Sequence, residues 1–153
     1  MSDVIDAVLG TEAAARVAAV RQRRPAVVEH TQAVHDALFD GVAGRAFGRA
    51  RLAAIAAHIA ALGNATDLAA YYARLAESAG TESDSSGDAK LAAALRHAVR
   101  LTDAPATSTR AHIDILLAAG LSETDIVTVS QLTGFVNYQV RLLAGLALIG
   151  DQR

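Results

Sequence analysis

An all-α fold is what this sequence predicts, on three observations. Alanine, the best helix former and a poor strand former, fills 36 of the 153 positions. Two prolines leave long stretches free to stay helical. Apolar runs with helical spacing end at glycine or asparagine, and residues able to cap a helix follow, as at Gly10-Thr11, Gly63-Asn64 and Gly120-Leu121-Ser122. Only six residues are Phe or Tyr, so small side chains let the helices approach closely.

Taken in order, Ser2 caps a short helix through Leu9, which Gly10 ends. Thr11 caps a second over Glu12 to about Gln22, with Arg21, Arg23 and Arg24 where a helix C-terminus favours cations. Pro25 suits the first position of a third, running to about Phe39 with Val27, Thr31, Val34 and Leu38 on one face. Asp40 to Gly48 carries three glycines and reads as a loop. It lacks the preceding strand and the Lys-Ser/Thr ending of a phosphate loop. A fourth helix covers about Arg49 to Leu62, and Asn64 with Asp67 caps a fifth that ends near Ser78. Gly80 to Asp88 (GTESDSSGD) reads as a mobile linker. The sixth helix spans about Lys90 to Thr102, and Pro105 marks a turn. Thr107 or Ser108 caps a seventh, which ends at Gly120. Ser122 with Asp125 caps the last, to about Ile149, striped by Ile126, Val129, Leu132, Phe135 or Val136, Val140 and Leu143.

An internal repeat runs through this order. Leu52 to Leu62 lies over Leu91 to Leu101 at a constant offset of 39, with five of eleven positions identical, including His58 and His97. Each segment is followed by a break, a second helix and a small-small-Gly ending, Ser78-Ala79-Gly80 and Ala118-Ala119-Gly120. Neither unit is large enough to bury a core alone, so 1–153 reads as one domain. Helices over 2–39 precede repeat units at about 49–80 and 90–120, and a long final helix covers about 123–149.

Composition excludes several function classes. Fourteen basic against sixteen acidic side chains give a net charge of −2, which argues against nucleic acid or an anionic membrane as partner. The longest apolar run, Leu52 to Leu62, contains His58 and is about half of a membrane span. No basic segment precedes an apolar stretch at the N-terminus, so the expected location is cytoplasmic. Cysteine is absent, which removes disulfides and all thiol chemistry. No metal or cofactor is expected. His30 and His35 point about 140° apart round a helix, and no His-x-x-x-His or Glu-x-x-His pattern occurs.

Several segments in order carry a resemblance: Leu101-Thr102-Asp103-Ala104-Pro105, Leu117 to Ser122, and Phe135-Val136-Asn137-Tyr138 with Arg141. Upstream stand Arg24-Pro25, Glu29-His30-Thr31-Gln32 and Ala37-Leu38-Phe39. Together, over roughly 24–150, they resemble the peroxidase-related branch of the alkylhydroperoxidase D-like, carboxymuconolactone decarboxylase superfamily. The resemblance implies a helical fold of two repeated helix-turn-helix units and assembly into homo-oligomers. It also places the superfamily's catalytic helix pair at Leu52 to Gly80. There, two cysteines open a helix whose N–H groups and dipole favour the thiolate, and a histidine and a glutamate relay the proton. Setting Ala61-Leu62-Gly63-Asn64 against the family's Ala-Leu-Asn-Gly puts Ala65 and Leu68 at the cysteine positions, Tyr72 at the histidine and Ala53 at the glutamate. All four are replaced, so thiol peroxidase activity is not expected.

Of what remains, His58 faces either the core or a pocket, His97 suits a hydrogen-bonded core position, and His112 the surface. Tyr71 and Tyr72 suit either a core face, each with one satisfied hydroxyl, or, for Tyr72, a pocket wall. Asn137 and Arg141, one turn apart, suit a structural hydrogen bond or an ion pair at the repeat junction. The candidate site is a mostly apolar pocket at the start of the fifth helix, bounded by His58, Ala65, Leu68 and Tyr72, with Asn64 and Asp67 beside it and the third helix as a wall. Two readings follow. One is a cysteine-less relative that binds, or acts without redox chemistry on, a small organic molecule. The other is a non-catalytic assembly or partner protein on the same scaffold.

Overall fold

A computed structural model describes residues 3–80 and 85–151. The order is α1 (Val4–Arg21), α2 (Pro25–Asp40), α3 (Val42–Phe47), α4 (Arg49–Leu62), α5 (Thr66–Ser78), α6 (Ser85–Asp103), a 3₁₀ turn (Pro105–Thr107), α7 (Arg110–Ala118) and α8 (Glu123–Asp151). No strand occurs among the described residues.

The first two predicted helices are the two arms of α1. Gly10 joins them at φ 74°, ψ 165°, a region that glycine alone holds cheaply. Ser2 lies outside the described residues. The cap is Asp3, whose carboxylate accepts the N–H groups of Ile5 and Asp6 at 2.9 and 3.0 Å.

The predicted loop 40–48 contains a short helix, α3. Its glycines serve packing: a Cβ at Gly44 would stand 1.8 Å from the Leu38 carbonyl oxygen, so only glycine lets α3 lie on the end of α2. Asn64 is likewise not the cap of α5. It takes φ 56° to reverse the chain, and Ala65 stands at the cap position with no side-chain hydrogen bond.

In the second half, α6 begins at Ser85, five residues before the expected start, so the linker ending at Asp88 is too long. Residues 81–84 of that linker lie outside the described residues. Thr109, rather than Thr107 or Ser108, opens α7. Its N–H donates to Nδ1 of His112 at 3.0 Å, so His112 completes a cap. At α8 the expected reciprocal pair is present: Asp125 N–H donates to Ser122 Oγ at 3.1 Å, and Ser122 N–H to Asp125 Oδ2 at 2.8 Å.

The core is centred on α4, apolar nearly all round, with Leu52, Ala53, Ile55, Ala56, Ile59 and Ala60 buried. Against it pack Ala93, Ala94 and Ala98 of α6 and Ile126, Val129, Leu132, Phe135 and Val136 of α8. Close approach is enforced at Gly63, where a Cβ would meet Val140 Cγ1 at 2.8 Å. A smaller cluster joins α1 to the end of α8 through Val4, Ile5, Val17 and Leu146. By length and composition α8 could cross a membrane, as the core helix of a folded domain also could, and 39% of its most apolar stretch is buried in the fold.

Candidate functional site

The start of α5 opens onto a cleft of about 430 Å³, within the range of small-molecule sites. One side carries Asn64, Ala65, Asp67 and Leu68; α1 contributes Val8, Leu9, Arg16 and Val17; α8 contributes Val140 and Leu143. Most of this lining is apolar. With no side-chain cap, the first N–H groups of α5 supply a partial positive charge beside it.

Four of the six predicted pocket residues, Asn64, Ala65, Asp67 and Leu68, are brought together here. The other two are not. His58 is exposed on α4 and lies outside the lining, because the apolar residues on either side of it turn to the core and rotate it outward. Tyr72 is fully buried two turns along α5. The third predicted helix, α2, forms no wall; α1 and α8 take that place.

Tyr72 belongs to a second assembly. Its hydroxyl donates to Oε1 of Gln139 at 2.7 Å, and its ring stacks on Phe39 at 5.4 Å and meets Tyr71 edge-on at 5.2 Å. Burial pushes the Tyr72 hydroxyl far above the ordinary phenol range, against the opposing pull of Gln139, so it stays a neutral donor. Gln139 is fully buried, and among the described residues its Nε2 has no partner.

Beside this pair runs a hydrogen-bond chain that no sequence motif marks. Val4 N–H donates to Gln32 Oε1 at 2.7 Å, and Gln32 Nε2 donates to Asp36 Oδ1 at 2.7 Å. His35 Nδ1 contacts the same oxygen at 3.3 Å, and its Nε2 faces the Tyr71 hydroxyl at 3.3 Å. This pairing assigns the imidazole proton to Nδ1 and leaves Nε2 to accept from Tyr71. Desolvation draws the His35 pKa below its ordinary value, only partly offset by Asp36. Burial likewise raises the Tyr71 hydroxyl. The available signal was the spacing Thr31, His35, Phe39, the true buried face of α2; the valines at 27 and 34 are half-exposed.

His97, the repeat partner of His58, is buried, and its Nε2 lies 2.9 Å from Ser130 Oγ. Ser130 in turn donates to the Ile126 carbonyl at 2.7 Å, so the imidazole donates and the serine is not activated as a nucleophile. Asn137 donates to Thr102 Oγ1 at 2.9 Å, and Arg141 donates to the Asn137 carbonyl at 2.9 Å, both structural roles.

At the four positions matched to the superfamily's catalytic groups, Ala53, Leu68 and Tyr72 are buried, and Ala65 lines the cleft. Among the described residues no group of three or more His, Asp or Glu side chains could hold a metal ion. Comparison with family models, curated proteins and solved structures gives no match.

Proposed function

We propose that this chain is a cysteine-less relative of the alkylhydroperoxidase D-like superfamily, in which two repeated helix pairs are kept and the redox centre is lost. In this reading the cleft at the start of α5 binds a small, largely apolar organic molecule bearing a carbonyl or carboxylate oxygen. The observation that carries it is the cleft itself, lined mostly by apolar side chains with Arg16, Asp67 and Asp151 among them, and bordered by an uncapped helix start. The absence of cysteine supports non-thiol use of the site. A homo-oligomer in the cytoplasm, with no nucleic acid or membrane partner, completes the proposal.

The test uses octanoate and 1-octanol as probes, followed by amide chemical shifts. Octanoate should move the amides of Thr66, Asp67 and Leu68, and Ala144→Phe, placed in the cleft wall, should abolish the movement. No shift at millimolar octanoate or octanol, or shifts indifferent to Ala144→Phe, would overturn the reading. The same protein should not reduce an organic hydroperoxide with a dithiol above a protein-free blank.

A further inference from the structure

We infer that the N-terminal arm of α1, residues 3–9, is a hinged cover on the cleft, with Gly10 as the hinge and Arg21 as its latch. The hinge is visible in the backbone. Gly10 is exposed, holds a conformation that other residues adopt only with strain, and has open space where a Cβ would stand. The arm therefore changes direction at one unpacked residue.

The latch is equally localised. Both acidic side chains of the arm converge on one cation at the far end of the same helix: Asp3 Oδ2 lies 2.8 Å from Arg21 Nη2, and Asp6 pairs with Nη1. The side chains of Arg21 and Asp3 are only 10% and 9% exposed, so removing the guanidinium strands a nearly desolvated carboxylate. Among the described residues a further polar tie is the bond from Val4 N–H to Gln32, and Val4 and Ile5 add apolar burial in the cluster with Leu146.

What the arm covers gives the device its use. Its last two residues, Val8 and Leu9, line the cleft, and Ile5 packs in the cluster that includes Tyr71 and Leu146. Rotation about Gly10 moves that wall while the second arm, whose Ala13 and Val17 also line the cleft, keeps Val17 packed with Leu146 and beside Gly150 of α8. A ligand too bulky for the cleft mouth then enters by displacing the arm. This use rests on the ligand-binding reading above; the hinge and latch do not.

Hydrogen exchange on the full chain separates the two. In the wild type, amides of 5–9 should exchange faster than those of 129–136 in the core of α8, through opening of the arm alone. Arg21→Gln should speed exchange in 5–9 by at least about tenfold and leave 129–136 unchanged. Arg110→Gln, which removes an exposed pair with Asp114 on α7, away from both arm and cleft, should alter neither. Equal protection of arm and core in the wild type, or a uniform rise throughout Arg21→Gln, would overturn the inference. If the arm opens as expected, octanoate should associate faster with Arg21→Gln than with wild type. Arm opening without any octanoate binding would retain the hinge and refute the ligand site.

Discussion

The Tyr72 hydroxyl and the Gln139 side chain, 67 residues apart, meet at 2.7 Å with neither residue exposed to solvent. This contact ties α5 to α8 and removes Tyr72 from the ligand chemistry expected of it. Tyr72→Phe should therefore act on stability, not on binding. It leaves the buried Gln139 amide without its partner, at a cost of about 1–3 kcal/mol in denaturant unfolding. Adding Gln139→Leu should recover most of that loss, since an apolar pair strands no polar atom. A Tyr72→Phe variant as stable as wild type would show that the bond is not formed in solution.

Stability should also fall on mild acidification, and His35 gives the sign. Its folded pKa lies below 6.5, because burial penalises the imidazolium more than Asp36 supports it. The unfolded chain then binds more protons than the native one as pH drops below about 6.5, so stability rises with pH in that window. His97 is shifted the same way, first by burial and then by Arg100 and His112. Each such histidine contributes a slope of at most about 1.4 kcal/mol per pH unit. His35→Phe should flatten the dependence measured by urea unfolding between pH 7 and 5. An unchanged slope would place the His35 pKa at its unfolded value.

Two glycines should respond oppositely to alanine. At Gly44 the new Cβ collides with the Leu38 carbonyl, so Gly44→Ala should destabilise by about 1–3 kcal/mol. At Gly134, exposed within α8, a Cβ meets nothing within 4 Å. Gly134→Ala should stabilise by about 0.5–1 kcal/mol through helix propensity. Thermal unfolding of the two variants decides both, and a shift of the same sign in each would contradict the packing described for α3.

These contrasts show which parts of the fold could be read in the sequence. The arms of α1, helix α4 and the paired cap of α8 were legible because local chemistry dictates them: a backbone break at Gly10, an unbroken alanine-rich run, and reciprocal Ser122 and Asp125 side chains. Helix α3 was not. Three glycines in nine residues carry loop propensity, and the reason for Gly44 lies in the backbone of another helix. The cleft was legible as far as adjacency goes, since Asn64, Ala65, Asp67 and Leu68 neighbour one helix start. His58 and Tyr72 depend on helix rotation about the long axis, which alanine-rich faces barely specify. The same ambiguity hid His35: Val27 and Val34 outrank it in hydropathy, yet only the contacts with Tyr71 and Tyr72 fix which side turns inward.

The half-exposed valines lead to the final expectation. Val27 and Val34 are 45% and 43% exposed, one turn to either side of Thr31, and Thr31 Oγ1 lies 3.1 Å from the Tyr138 hydroxyl. Tyr138 is itself 39% exposed, so part-exposed apolar side chains stand on both helices that meet at this contact. Exposed apolar side chains grouped at one helix seam suit an association surface, the basis for expecting a homo-oligomer. Light scattering at micromolar concentration should give a mass above the 15.8 kDa of one chain. Val34→Asp would put a charge into the patch without touching the core, and should shift the population towards monomer while leaving the helical circular dichroism unchanged. A wild-type protein that elutes and scatters as a 15.8 kDa species would refute the homo-oligomer. An oligomer indifferent to Val34→Asp would move the contact elsewhere, with exposed Ile115, Val127 and Leu148 as the next surfaces to alter.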